Sequence, residues 1–184
     1  MPNSGARSAE SFSVDDTRKL LGVVRSQLES APIANPIEGE TEVSFSGRAI
    51  SESLRERIDG LGISGLILGG PRAAPVGTLS FLGASFIPDF TLTHKGQRLV
   101  ACEVKFLRPG SVQSAVATAI GQSAIYSSAG FQAACVFFVD WEGALTESDH
   151  EHADRQLALG TGAVPLVLRR RGSDGFLESG APAG

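Results

Sequence analysis

The spacing of hydrophobic positions changes several times along the chain, and each change marks a predicted element. Apolar residues recur at helical spacing in "SVDDTRKLLGVVRSQLES" (13–30), where Ser13 is suited to cap the helix, and again in "AISESLRERIDGLG" (49–62). Between these helices, "TEVSFSG" (41–47) alternates between polar and apolar residues, which indicates a short strand or an irregular lead-in. The first third of the chain is therefore predicted to be mainly helical.

Strand-like patterns fill much of the remaining chain. Apolar or alternating runs predict strands in "ISGLILGG", "VGTLSFLG", "SFIPDFTLT", "RLVACEVKFL", "AACVFFVDW" and "AVPLVLRRR". The turn "HKGQ", where Gly96 can take a positive φ, joins two of these strands into a hairpin. A helix is predicted over about 111–128, and an exposed helix in "TESDHEHADRQLAL" (146–159).

The order of these elements predicts the fold. Neighbouring strands joined by a tight turn pair antiparallel, whereas a strand–helix–strand unit gives a parallel crossover. The chain is therefore predicted to be α/β (α+β), with a central mixed β-sheet flanked by helices. Its 184 residues suffice for one domain. We expect that domain at 13–171, with a core at about 49–140, between a flexible N-terminus (1–12) and a flexible tail (172–184).

Composition and charge restrict the function classes. The net charge of −4 argues against a strongly cationic coat for nucleic acid, although it allows a local basic groove. The two cysteines, Cys102 and Cys135, lie in apolar runs and are interpreted as buried free thiols in a reducing cytoplasm. There is no Cys/His cluster for structural zinc, no signal-peptide pattern at the N-terminus and no apolar run of about 18 residues. We therefore expect a cytoplasmic protein without a membrane segment.

Three charged residues interrupt two otherwise hydrophobic strands. Alternation places Glu103 and Lys105 on one face of their strand, and a turn near 94–97 can bring Asp89 of the preceding strand beside them. Two neighbouring carboxylates repel unless a cation neutralises them, and Mg²⁺ prefers oxygen ligands. A lysine at this place can position or activate an attacking water and offset phosphate charge. The alternative is a solvated strand face with a surface salt bridge.

The same residues resemble a known nuclease motif. Pro88-Asp89 and Glu103-Val104-Lys105 are similar to the "PD" and "(D/E)xK" elements of the PD-(D/E)xK nuclease superfamily, which has the restriction-endonuclease-like fold. The core of that family runs helix, three strands, helix, strand (αβββαβ), as predicted here. The resemblance implies that Asp89 and Glu103 bind Mg²⁺ (or Mn²⁺), with the carbonyl of Val104 as a further ligand. It also implies that Lys105 assists phosphodiester hydrolysis.

The predicted helix after these strands adds a second resemblance. Gln122 and Tyr126 are four residues apart and therefore share a helix face. "QSAIY" resembles the Q-x-x-x-Y element of RecB-like nucleases, which implies that Gln122 faces the active site as a catalytic residue with Tyr126 nearby. The alternative is that the two residues are an ordinary surface side chain and a half-buried one.

Many members of the family also place a glutamate on the helix before the strands. Glu52 and Glu56 are the candidates, and we take Glu52 as the expected metal ligand, although both residues lie opposite the apolar stripe of their helix. The alternative is that they form ordinary ion pairs with Arg55 or Arg57.

Two further charged segments have more than one interpretation. His150 and His152 are flanked by acids on the predicted exposed helix, where a solvated role is favoured over metal binding. The arginines at 169–171 end a strand and either remain solvated or contact phosphates.

Together these features predict a divalent-metal-dependent nuclease, with DNA as the expected substrate and a homodimer or partner subunit as a further expectation. One alternative is a catalytically silent nuclease-fold module that binds nucleic acid or a protein partner. The other is a structural or regulatory subunit whose acidic surface binds protein.

Overall fold

A computed structural model describes residues 11–70, 78–158 and 165–179. The helical segments are α1 (Val14–Ser30), α2 (Glu42–Phe45), a π-helical turn (Ser46–Ile50), α3 (Ser51–Asp59), α4 (Val112–Ser128) and α5 (Glu147–Ala158). The strands are β1 (Leu66–Gly69), β2 (Leu79–Phe81), β3 (Ala84–Phe86), β4 (Phe90–His94), β5 (Gln97–Leu107), β6 (Ala133–Asp140), β7 (Leu166–Arg171) and β8 (Leu177–Ser179).

A six-stranded mixed sheet in the order β1-β4-β5-β6-β7-β8 forms the centre of the fold. The pairs β1/β4, β4/β5 and β7/β8 are antiparallel, whereas β5/β6 and β6/β7 are parallel. This confirms the predicted α+β fold with a central mixed sheet and flanking helices. The predicted order of helix, three strands, helix and strand is formed by α3, β1, β4, β5, α4 and β6, and β2 and β3 form a separate hairpin.

The two faces of β5 meet different surroundings. Val100, Cys102, Val104 and Phe106 belong to the main hydrophobic core, together with buried residues of α1 and α3. The opposite face is covered by α4, where Ala101 packs with Tyr126 and Phe131. Because strand side chains alternate, Glu103 and Lys105 share this second face. The predicted alternation therefore holds, and it turns both charged residues towards α4.

The hairpin between β4 and β5 brings Asp89 towards Glu103. Its turn has positive φ angles at Lys95 (49°) and Gly96 (83°), the conformation of a tight hairpin turn with matching twist. The predicted strand "SFIPDFTLT" is interrupted, because β3 ends at Phe86 and β4 begins only at Phe90. Pro88 lies in this interruption, where it has no N–H to give to a sheet ladder.

Three local predictions are wrong. Residues 41–47 are helical rather than extended, since Thr41 caps α2 by accepting the Ser44 N–H and Phe45 is buried in the core. The predicted flexible tail contains β8, which pairs with β7 and buries Leu177. The predicted helix at 146–159 is exposed at most of its described positions, but the solvated role expected for His150 is wrong, because its side chain is buried. The remaining parts of the predicted flexible ends, 1–10 and 180–184, lie outside the described residues.

The two cysteines are also not free. Cys102 and Cys135 are register partners on the parallel strands β5 and β6, and they form a disulfide. The prediction of buried free thiols is therefore wrong, and the expectation of a reducing compartment loses that support. Within the described ranges, no helix has the length and apolar character needed to cross a membrane.

A buried arginine joins α1 to the far edge of the sheet. Arg169 on β7 is 5% exposed, and its guanidinium donates to the carbonyl of Ala31 at 2.6 Å and to the carbonyl of Leu177. The neighbouring Arg170 is paired with Glu147 on the protein surface instead. The first arginine of the "RRR" segment therefore has a structural role.

We predict that Arg169→Ala lowers the free energy of unfolding by about 2–4 kcal/mol, because it removes charged donors from buried carbonyls and opens a cavity. The matched variant Arg170→Ala removes a surface ion pair and should cost less than about 1 kcal/mol. Urea denaturation of both variants measures the difference. Equal losses would contradict the structural role of Arg169.

Candidate active site

Asp89 is held against β5 by two hydrogen bonds. Its backbone N–H donates to the carbonyl of Cys102 at 3.0 Å, and its carboxylate accepts the N–H of Val104 at 2.7 Å. The residue is only 8% exposed. The position after β3 and Pro88 therefore directs the carboxylate to the Glu103-Val104 segment, as the motif predicts.

Glu103 lies between a lysine and a tyrosine. One carboxylate oxygen is 2.6 Å from Lys105 Nζ, and the other accepts a 2.5 Å hydrogen bond from the hydroxyl of Tyr126. Glu103 is 3% exposed and Tyr126 is fully buried. This carboxylate is therefore held in a defined orientation by its own strand and by α4.

A second glutamate, which the sequence did not indicate, approaches from α2. Lys105 Nζ lies 3.4 Å from one carboxylate oxygen of Glu42, and the other accepts the N–H of Phe106 at 2.8 Å. Glu42 was missed because residues 41–47 were predicted as a strand or lead-in. The signal that could have identified it is Thr41 as a helix cap, followed by buried Phe45 and Ala49 at helical spacing.

Glu52, the expected metal ligand, lies elsewhere. It is exposed on α3 and borders a depression shared with Gln27 of α1 and with Arg48. Because α3 buries Leu54 and Ile58, the position of Glu52 directs it away from β5. The prediction of Glu52 as a ligand is therefore corrected. Glu42 is the glutamate that the helical segment before the strands brings to the Lys105 side chain.

The predicted pair on α4 faces inward. Tyr126 reaches Glu103, and the Gln122 side-chain oxygen, one turn earlier, is buried without a hydrogen-bond partner among the described residues. A buried amide oxygen without a partner is costly. Gln122 therefore has unused hydrogen-bonding capacity on the side of the helix that carries Tyr126.

Burial and mutual repulsion shape the charges of the site. Burial, together with the charge of Glu103, raises the pKa of Asp89 to about 7. Burial alone would lower the pKa of Lys105, but the hydrogen bond to Glu103 and the charges of Glu103, Glu42 and Asp89 outweigh it and raise that pKa. Burial and the charge of Glu103 also raise the pKa of Tyr126. At neutral pH the site therefore contains a lysine cation and a phenol that remains protonated.

The site opens into a cleft of about 420 Å³ between α2, β5 and the start of α4. Its lining combines apolar surface with charged side chains, among them a lysine and an arginine. The lining residues are Thr41, Glu42, Lys105, Phe106, Arg108, Ser111, Ser114, Ala115 and Thr118. The lysine can therefore reach a ligand that enters the cleft.

The donor chemistry of the site suits a hard divalent cation. The carboxylates of Asp89 and Glu103 and the carbonyl of Val104 are oxygen ligands of the kind that Mg²⁺ accepts. In the part of the chain that the structure describes, however, no three Asp, Glu, His or Cys side chains are grouped closely enough to hold a metal ion. Instead, the Lys105 ammonium contacts the carboxylates of Glu103 and Glu42. The oxygen ligands at this site are therefore of the type that Mg²⁺ binds, but in this arrangement the Lys105 ammonium occupies the position of a counter-charge to Glu103.

The histidines of α5 do not join this site. His150 is 2% exposed and its Nε2 lies 2.9 Å from the carboxylate of Asp140, at the end of β6. The Asp140 carboxylate also accepts the N–H groups of Ala144 and Leu145. This cluster therefore orders the loop between β6 and α5.

No protein-family model matches the chain, and comparisons with curated proteins and with solved structures gave no match. The resemblance to the PD-(D/E)xK nucleases consequently depends on the residues and their arrangement alone.

We predict that Asp89 makes the fold less stable as the pH rises. Its pKa is about 7 in the native state and about 3.9 in an unfolded chain, so between these values the native carboxyl retains a proton that the unfolded chain has lost. This contribution, on the order of 4 kcal/mol, is complete below about pH 4 and is lost as the pH rises through about 7. Urea denaturation in EDTA from pH 4 to pH 8 measures the loss.

The control for this measurement is Asp89→Asn, which keeps an oxygen that can accept the Val104 N–H but does not titrate. The difference in unfolding free energy between the two proteins isolates the contribution of Asp89. Parallel pH profiles would show that the Asp89 carboxyl is not protonated in the native state.

Proposed function

We propose that the protein is a divalent-metal-dependent nuclease that hydrolyses phosphodiester bonds, with DNA as its substrate. The observation that carries the proposal is the placement of Asp89, Glu103 and Lys105. Two nearly buried carboxylates and a lysine lie together where β4 and β5 meet, and the lysine borders a cleft whose lining also includes Arg108. A buried carboxyl group whose pKa is raised, as that of Asp89 is, destabilises a fold at neutral pH, and such groups cluster preferentially at functional sites.

Each side chain has a role that its contacts support. Asp89 and Glu103, with the carbonyl of Val104, would hold Mg²⁺ or Mn²⁺. The bound ion would neutralise the two acids and polarise a phosphate oxygen. Lys105, kept cationic by its carboxylate neighbours, would donate a hydrogen bond to the phosphate and offset its charge rather than act as a base. Tyr126 orients Glu103, and Glu42 restrains Lys105.

One observation favours the second candidate, a catalytically silent nuclease-fold module that binds nucleic acid or a protein partner. The Lys105 ammonium lies within 4 Å of both Glu103 and Glu42, so it already supplies a counter-charge to these acids. The low exposure of Asp89 and its raised pKa argue for the enzyme, since the charge of Lys105 offsets the burial of this third carboxylate only in part. A cytoplasmic location and a homodimer or partner subunit belong to the same proposal.

We predict that the purified protein cuts DNA in Mg²⁺ or Mn²⁺ and that Asp89→Asn, Glu103→Gln and Lys105→Met each reduce the rate at least about a hundredfold. Each change removes a charge from the reacting region while nearly preserving side-chain volume. A gel assay with labelled single- and double-stranded DNA and RNA measures the rates. If the wild-type protein cuts none of these substrates, the proposed nuclease activity is contradicted and the catalytically silent module is favoured.

Metal binding can be measured in the same proteins without activity. An ion that binds only the native site at a hundred times its Kd stabilises by about 2.7 kcal/mol. For a domain of this size, that stabilisation raises the melting temperature by about 5–10 °C. Mn²⁺ should therefore raise the melting temperature of the wild type but not that of Asp89→Asn. An equal rise in both proteins would place the ion at another site.

We predict a separate effect at Gln122. The amide N–H₂ of this half-buried side chain can donate to substrate phosphate without adding charge, so Gln122→Ala should lower cleavage by about 1–3 kcal/mol of transition-state stabilisation, roughly tenfold to a hundredfold. The matched control is Gln113→Ala, an exposed glutamine on the same helix. Steady-state rates and circular dichroism of both variants separate function from folding. Equal rates in the two variants would remove Gln122 from the site.

A further inference from the structure

The parallel strands β5, β6 and β7 end together at the same end of the sheet, where their carboxyl termini meet. The register aligns Leu107 of β5 with Asp140 of β6, and Asp140 with Arg170 of β7. One residue further along each chain come Arg108, Trp141 and Arg171, which we call the edge row. Two contacts show that these residues are neighbours. The Arg171 guanidinium lies 4.2 Å from the centre of the Trp141 ring, and Arg108 lies 3.3 Å from Glu142.

The arginines of β7 differ in what they leave free for a ligand. Arg169 is buried on backbone carbonyls, and Arg170 is paired with Glu147 at 2.6 Å and with Glu178 at 3.8 Å. Arg171 is exposed, and among the described residues no carboxylate lies within 4 Å of its guanidinium. Its charge is therefore available to an anion, while Trp141 holds the guanidinium in place.

Arg108 connects the edge row to the candidate active site. Its side chain is 56% exposed and borders the same cleft as Lys105, which lies three residues earlier on β5. Glu142, itself 44% exposed, competes for Arg108 from the loop after β6. The nearby carboxylate of Asp140 is 2% exposed and is satisfied internally by His150 and loop N–H groups. The row therefore carries two exposed cations, Arg108 and Arg171, against one exposed acid, Glu142, and Glu42 borders the cleft beyond Arg108.

The length of the row suits a chain of phosphates. Strands lie about 4.8 Å apart, so two spacings separate Arg108 from Arg171 by about 10 Å, and Lys105 lies about 10 Å back along β5, at right angles to the row. A nucleic-acid strand carries one charge about every 3.4 Å along a duplex axis, so several successive phosphates span this distance. A single small anion could contact only one end.

We propose that the edge row binds the sugar–phosphate backbone of a nucleic-acid strand and leads it to Lys105. This inference rests on the proposed nuclease function and adds to it the path of the substrate. It also reconciles an acidic protein with a polyanionic ligand, because the cations are concentrated at one edge of the sheet.

Trp141 provides a local probe, because it is the only tryptophan in the sequence. We would titrate the full chain in EDTA, which prevents cleavage, with fluorescein-labelled single-stranded and duplex oligonucleotides. Anisotropy reports binding, and tryptophan emission from unlabelled titrations reports whether the ligand reaches the edge row. The expected result is binding accompanied by a change in Trp141 emission.

Four variants test the row. At moderate salt, Arg108→Gln and Arg171→Gln should each weaken binding about three- to tenfold, and each should reduce the slope of log K against log salt by about one. Arg55→Gln changes the net charge equally at an exposed position on α3 and should alter binding less than twofold. Glu142→Gln should tighten binding by about twofold or more, because it releases Arg108.

Three results would overturn the edge row as the substrate path. They are no measurable binding by the wild type, binding without a change in Trp141 emission, and equal weakening in Arg55→Gln and Arg171→Gln. Cleavage in Mn²⁺ is scored separately. If the wild type binds through the edge row but does not cleave, the proposed nuclease activity is contradicted and the edge row is supported. If the wild type cleaves and the Arg108 and Arg171 variants bind normally, the edge row is contradicted and the nuclease activity is supported.

Discussion

The neutralisation of buried carboxylates is the constraint on which the site and the surrounding fold both depend. Asp89 and Glu103 lose most of their water when β4 and β5 pair beneath α4, and that loss must be compensated. The Asp89 carboxylate accepts a backbone N–H, whereas the Glu103 carboxylate contacts the Lys105 ammonium and accepts the Tyr126 hydroxyl. Lys105 in turn binds Glu42, whose other oxygen accepts a backbone N–H of β5. One connected set of polar contacts therefore joins α2, the central strands and α4.

This network stabilises the fold only in part. Lys105 compensates Glu103 and Glu42, but Asp89 receives a single backbone N–H, and its pKa remains near 7. A purely structural network would be expected to exclude such a residue, since an asparagine could accept the same hydrogen bond without the cost of burying an ionisable group. Retaining a carboxyl group at a cost in stability is understandable where the charge is used, and this is the physical case for a functional site at this position.

Sequence periodicity was sufficient for the parts of the molecule that depend on neighbours along the chain. Alternation placed Glu103 and Lys105 on one face, the turn at Gly96 set the hairpin, and helical spacing placed Gln122 and Tyr126 together. Features that depend on strand order were not accessible. Cys102 meets Cys135 only because β5 and β6 are parallel neighbours in one register. The helix that carries Glu42 was mistaken for a strand, because local alternation competed with a capping signal at Thr41.

The same distinction explains why a charged segment such as "RRR" cannot be interpreted from sequence. Its three arginines are adjacent, yet one is buried on carbonyls, one is paired with two glutamates, and one is exposed over an indole ring. Alternation along β7 and the identities of the neighbouring strands determine whether each arginine is buried, paired or exposed. The net charge of the chain therefore does not predict the environment of an individual arginine. A chain with a net charge of −4 can therefore present a local cationic edge, provided that the acids nearby are already paired. Here Glu147 and Glu178 are occupied by Arg170, which leaves Glu142 as the acid that faces Arg108.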